Sequence, residues 1–114
     1  MSFSEIELKR IDRLVGDFCR RRSPDHMRDE LRLEYRIHGH AVEIYEWRQR
    51  YGEETGFFDS PVAKIKFVRT KNEWRLYWQR ADLKWHSYEM LPSSRDLAEL
   101  VNEIDDDPFG CFFG

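Results

Sequence analysis

Seven side chains within one short stretch carry chemistry that could act together: Lys64, Lys66, Arg75, Tyr77, Lys84, His86 and Tyr88. Cations interleaved with aromatic rings suit a polyanion, with charge for phosphates and rings for unpaired bases. The same mixture also keeps an exposed sheet face in water, so the stretch predicts a binding face before a reaction centre. A second set has the residue types of an acid/base or metal centre: Glu34, Glu43, His38, His40 and His86. Such groups act together only if they converge in a cleft. No histidine pair has His-x3-His spacing, and the chain contains no phosphate-cradling Gly-Lys-Ser and no Gly-x-Ser-x-Gly. The sequence therefore names no catalytic residue, no metal ligand and no cofactor. An enzyme around Glu34, Glu43 and His38 or His40 stands as the rival class.

The elements that must position the first set are strands. Ala63, Ile65 and Phe67 alternate with Lys64, Lys66 and Val68, and Trp74, Leu76 and Trp78 alternate with Arg75, Tyr77 and Gln79, the period of two that gives a strand unlike faces. Four-residue loops at 70–73 and 80–83 would align Ile65, Trp78 and Trp85 as an inner row. The outer rows would then be Lys66, Tyr77 and His86; Lys64, Gln79 and Lys84; and Val68, Arg75 and Tyr88, a face without an acid. Upstream, Leu33, Tyr35 and Ile37 alternate with Arg32, Glu34 and Arg36 and predict a hairpin. A two-residue loop at His38-Gly39 sets Tyr35 opposite Val42 and Leu33 opposite Ile44. It also sets Glu34 opposite Glu43, a like-charge pair that Arg32 and Arg36 would have to neutralise. Residues 49–60 read as a linker in which Phe57 and Phe58 tuck against the core edge, and Pro61 opens the strand that follows.

Two helices flank these strands. Ser4 and Glu7 have capping-box spacing, and Leu8, Ile11, Leu14, Val15 and Phe18 form one apolar stripe. Arg20, Arg21 and Arg22 then complement the helix C-terminus. Ser93 and Ser94 are the expected caps of a second helix, whose stripe is Leu97, Leu100, Val101 and Ile104. Asp105, Asp106 and Asp107 end it as an exposed acidic turn, and the aromatic tail from Phe109 to Gly114 should dock on the chain's own core. The expected architecture is α+β: an N-terminal helix, an antiparallel meander sheet of about five strands and a C-terminal helix, both helices on one sheet face, within one domain spanning 1–114.

Composition bounds the partners. The net charge is −3, yet residues 62–88 hold seven Lys or Arg against two Asp or Glu, and residues 89–114 hold one against seven. Overall acidity disfavours a general nucleic-acid binder while leaving room for a local basic patch. Two cysteines, Cys19 and Cys111, are too few for a disulfide framework and predict a cytoplasmic protein. No apolar run reaches the roughly 20 residues of a membrane span. The function expected is a non-enzymatic binding or interaction module. Three partner classes fit it: a second copy in a homodimer, a single-stranded nucleic acid or other polyanion, and an acidic protein.

The chain also resembles the small bacterial proteins grouped as domain-of-unknown-function family 3024. The resemblance runs through Lys-Arg-Ile-Asp-Arg-Leu-Val-Gly-Asp-Phe-Cys-Arg-Arg-Arg-Ser-Pro, Arg-Leu-Glu-Tyr-Arg-Ile-His-Gly-His, Trp-Arg-Leu-Tyr-Trp-Gln-Arg, Lys-Trp-His-Ser-Tyr and the closing segment from Arg95 to Gly110. It covers nearly the whole chain and implies a stand-alone cytoplasmic bacterial domain. The family carries no assigned activity, so the resemblance gives no residue a role.

Overall fold

Helix α1 (Glu5–Ile11) starts where the capping box places it. The Glu7 N–H donates to Ser4 Oγ at 3.2 Å and the Ser4 N–H donates to Glu7 Oε1 at 2.8 Å. Two N–H groups without intrahelical partners are thereby bonded. The computed structural model of the chain describes residues 3–27, 30–50 and 56–114. From α1 the backbone passes through a π-helical turn, Asp12–Gly16, into α2 (Asp17–Arg21). A Cβ on Gly16 would stand 2.6 Å from Asp12 Oδ1. Glycine thus lets that carboxylate lie against the turn, where it accepts a hydrogen bond from the Tyr35 hydroxyl at 2.8 Å. Ile11, Val15, Phe18 and Cys19 are buried on one side of this helical layer, while Leu8, expected in the same stripe, is 40% exposed.

The sheet is antiparallel, with strands β1 (Leu31–His38), β2 (Ala41–Arg50), β3 (Gly56–Val68), β4 (Glu73–Gln79) and β5 (Trp85–Ser87) in meander order. A short β6 (Ser93–Ser94) pairs with β4 beside β5. Helix α3 (Leu97–Asp106) closes the chain's regular structure. Its cap is Asp96, which accepts from the Ala98 N–H at 3.0 Å, and not Ser93 or Ser94, which the sheet takes up. The inner face of the sheet, through Leu33, Val42, Ile44, Ala63, Ile65, Phe67 and Leu76, shares one core with the buried residues of α1, α2 and α3. Both helical layers therefore lie on one face, as the sequence predicts.

Three registers differ from expectation, and the differences are instructive. The first hairpin does have a two-residue loop, but it is Gly39-His40: Ile37 faces Val42, Tyr35 faces Ile44 and Glu43 faces Arg36. Gly39 takes the positive φ of 57° at the first loop position, a place that favours glycine. The pairing replaces the expected Glu34–Glu43 repulsion with an opposite-charge pair. The second loop is four residues long but starts at Arg69, so Ile65 faces Leu76 and Phe67 faces Trp74. Both shifts are even, and every residue keeps its predicted face.

The third shift is odd. Gln79 pairs with Trp85 and Trp78 with His86, so the loop between β4 and β5 holds residues 80–84. Leu83 adopts a φ of +64°, and Asp82 Oδ1 accepts the Lys84 N–H at 2.9 Å, which stabilises the wider loop. A slip of one residue exchanges the two faces. Trp85 and Ser87 accordingly turn outward, and Lys84, His86 and Tyr88 do not join the outer rows.

The expected linker 49–60 is largely strand, since β2 extends to Arg50 and β3 begins at Gly56; its centre, 51–55, lies outside the described residues, and so does the side chain of Phe57. Pro61 sits inside β3, opposite Tyr45, where the register shifts between Ile44 and Tyr45. A bulge is where a strand tolerates proline, and the extra residue, Val62, is buried. Phe112 of the tail is buried and its ring lies 5.0 Å from that of Tyr88, whereas Phe109 is 64% exposed. Asp107 holds the tail by accepting from the Phe112 and Phe113 N–H groups at 3.0 and 2.8 Å. Asp105 pairs with Arg22 at 2.8 Å and Arg21 at 3.5 Å, so the acidic helix end is tied to the basic end of α2 and is not a free turn.

Candidate functional site

Alternation and register assemble the outer face. One row runs Arg36, Glu43, Lys64, Tyr77 and Ser87 across β1 to β5, and the next runs His38, Ala41, Lys66 and Arg75. Arg32 with Trp47, and Glu34 with Tyr45, extend the face toward the other end of the β1–β2 hairpin. Tyr45, Trp47, Tyr77 and Trp85 are half-buried among these charges. Among the described residues no helix stands on this side.

The face is organised around Arg36. Its guanidinium donates to Glu43 Oε1 at 2.9 Å and to Asp59 Oδ2 at 2.8 Å, and its Cζ lies 4.4 Å from the Tyr45 ring centre. Arg32 stacks on Trp47 at 3.8 Å and pairs with Glu34, and Arg75 pairs with Glu73 at 3.2 Å. Burial, then the nearby Glu34 carboxylate, raises the Tyr45 hydroxyl above its ordinary pKa. The outer face is therefore not free of acids: Glu34, Glu43, Asp59 and Glu73 neutralise most of its arginines. Among the described residues Lys64 and Lys66 stay outside the ion pairs, although Lys64 is the cross-strand neighbour of Glu43.

Of the seven residues expected to form the site, Lys64, Lys66, Arg75 and Tyr77 share this face. Lys84 is exposed in the loop after β4. His86 pairs in register with Trp78, and its Nε2 lies 2.8 Å from Asp82 Oδ2. Tyr88 is wholly buried, and its hydroxyl donates to Glu103 Oε2 at 2.6 Å; burial and that carboxylate both oppose its ionisation. It is a core residue, displaced from the predicted face by the one-residue loop difference. Sequence reasoning left out Arg36, Tyr45, Trp47 and Trp85. The alternation of β2, carried past Ile44, would have found Tyr45 and Trp47.

The rival set disperses. Glu34 faces Tyr45 and Glu43 faces Arg36. His38 Nε2 is 4.0 Å from Glu43 Oε2, the His40 ring packs edge-on to Phe3 at 5.5 Å, and His86 lies on β5, opposite Trp78. Among the described residues no group of three or more His, Cys, Asp or Glu side chains is placed to hold a metal ion. A recess of about 180 Å³ between the π-turn and β1 is lined by Gly16, Cys19, Arg20 and Tyr35. Burial pushes the Cys19 thiol up to about 12, which makes it a packing group and a poor nucleophile. Cys19 and Cys111 are both free thiols. No described helix is long and apolar enough to cross a membrane.

A family model described as "Domain of unknown function (DUF3024)" matches residues 3–114. No curated protein and no solved structure gives a significant match.

Proposed function

We propose that this chain, which belongs to the DUF3024 family, is a non-enzymatic interaction module that holds a partner protein against the outer face of its sheet. The supporting observation is the composition of that face, four half-buried aromatic rings set among arginines fixed by their own carboxylates. Tyr, Trp and Arg carry much of the binding energy in protein interfaces, and arginines already held in place lose little rotamer freedom on binding. Paired charges of both signs fit a protein surface better than they fit a uniform polyanion. Affinity capture with the wild-type chain, the Tyr77→Ala/Trp85→Ala variant and an Arg10→Glu/Arg13→Glu variant tests this. The expected outcome is a partner retained by the wild type and by the helix variant and lost by the face variant. Equal recovery on all three contradicts the proposal.

A second use of the same face has one observation in its favour. Among the described residues Lys64 and Lys66 make no ion pair, and they pair in register with Tyr77 and Arg75, an arrangement that serves single-stranded nucleic acid. Titration with single-stranded RNA and DNA at two salt concentrations separates the uses. Binding that falls steeply with salt and is lost in Lys64→Ala/Lys66→Ala supports nucleic acid; no binding at low salt removes it.

A further inference from the structure

Among the described residues a group of unneutralised cations lies not on the sheet but along α1 and the π-helical turn after it. Lys9, Arg10 and Arg13 are exposed on successive turns, and Arg95 is exposed just before α3. None of these four makes an ion pair or a side-chain hydrogen bond among the described residues. The other arginines nearby are engaged: Arg20 with Asp17, Arg22 with Asp105 and Arg69 with Glu7.

Ile6, 81% exposed, lies among the free cations and lines with Lys9, Arg10 and Arg13 a surface depression of about 350 Å³. Arg13 also borders a groove of about 340 Å³ between the first helical layer and α3, which Leu14 and Val101 line together with Asn102. Arg10 borders a third recess, with Trp74 and Arg95. Arg10 lines the first and third recesses and Arg13 the first and second, which sets the three next to one another as a grooved surface; the carboxylates among their linings, Asp17 and Glu7, are engaged by Arg20 and Arg69.

We propose that this groove binds an acidic amphipathic helical segment of a partner protein. Charge complementarity supplies the acidic character, because four cations without partners attract carboxylates and speed encounter. The apolar character follows from the exposed Ile6 and the half-buried Leu14, which a phosphate backbone would leave facing charge and a helix with Leu between acids would cover. The groove is a different surface from the outer sheet face, and neither proposal depends on the other.

Fluorescence anisotropy of a labelled helical peptide, with Leu at i, i+3, i+4 and i+7 and Glu elsewhere, tests the groove. The wild-type chain is expected to bind it and to weaken as salt rises. Arg10→Glu/Arg13→Glu, with its fold checked by circular dichroism, is expected to bind at least about tenfold more weakly, and Ile6→Ser to lose part of the affinity. Lys64→Glu/Lys66→Glu, on the sheet, is expected to bind unchanged. The proposal is overturned by failure of the wild type to bind the peptide at low salt, by equal binding in the Arg10/Arg13 variant, or by equal loss in the sheet variant. Binding of a single-stranded oligonucleotide or anionic phosphatidylserine vesicles in place of the peptide also overturns it.

Discussion

The arginines of the outer sheet face and those of the first helical layer are the same residue type in opposite situations. Arg36 is fixed by two carboxylates and a ring, and its side chain is 37% exposed. Arg10 and Arg13 stand exposed, and among the described residues nothing holds them. Charge counted along the sequence points the other way, placing the strongest basic block over β3 to β5. Strand pairing reverses the ranking, because β2 brings Glu43 alongside the lysines and β4 contributes Glu73, whereas an exposed helix turn has only its own neighbours. Net charge by segment thus describes composition, and partnering decides which cations are available.

The largest effect expected lies under both regions. Tyr88→Ala should cost about 3–5 kcal/mol in denaturant unfolding, as loss of a buried aromatic ring does. A loss below about 1 kcal/mol would return Tyr88 to the surface and restore the sequence-based face. Next comes Arg36→Ala, expected to cost about 1 kcal/mol, since it leaves the 17%-exposed Glu43 without its partner while solvent screens part of the gain. By contrast, Arg13→Ala should change stability by less than about 0.5 kcal/mol. Equal effects at positions 36 and 13 would erase the distinction between held and free arginines.

Much of the fold was legible because hydrophobic period survives an error of register. The loops at 39–40 and 69–72 differ from expectation, yet Leu33, Ile65 and Leu76 remain inside, since each shift moves a strand by two. The expected Glu34–Glu43 repulsion was itself a sign that the first hairpin sat two residues out of place. The β4–β5 loop was harder to foresee. Its length depends on Asp82 bonding the Lys84 N–H and on a left-handed Leu83, a conformation that leucine rarely adopts. That single residue moved His86 and Tyr88 off the candidate site and brought Trp85 onto it. The ties between α2 and α3, Arg21 and Arg22 to Asp105, join residues more than eighty positions apart and leave no local signature.

The smallest expected effect concerns pH. Arg69, and after it the Ser4 N–H, hold Glu7 down to about 2 from its usual 4.5. A carboxylate with a lowered folded-state pKa adds stability that is complete above the unfolded value and is lost as pH falls toward the folded one. Glu7→Gln should therefore flatten the stability profile between about pH 4.5 and 2, being less stable than wild type at neutral pH and converging with it as pH falls toward about 2. Identical acid profiles would show that Arg69 does not engage Glu7.

The most direct test of the interaction face is photo-crosslinking in cells from a benzoylphenylalanine placed at Tyr77, with a second placed at Glu99 on the exposed side of α3 as the control. The account predicts a discrete protein adduct from position 77 that is absent from position 99 and is abolished by Trp85→Ala. No protein adduct from position 77, or the same adducts from both positions, would contradict it.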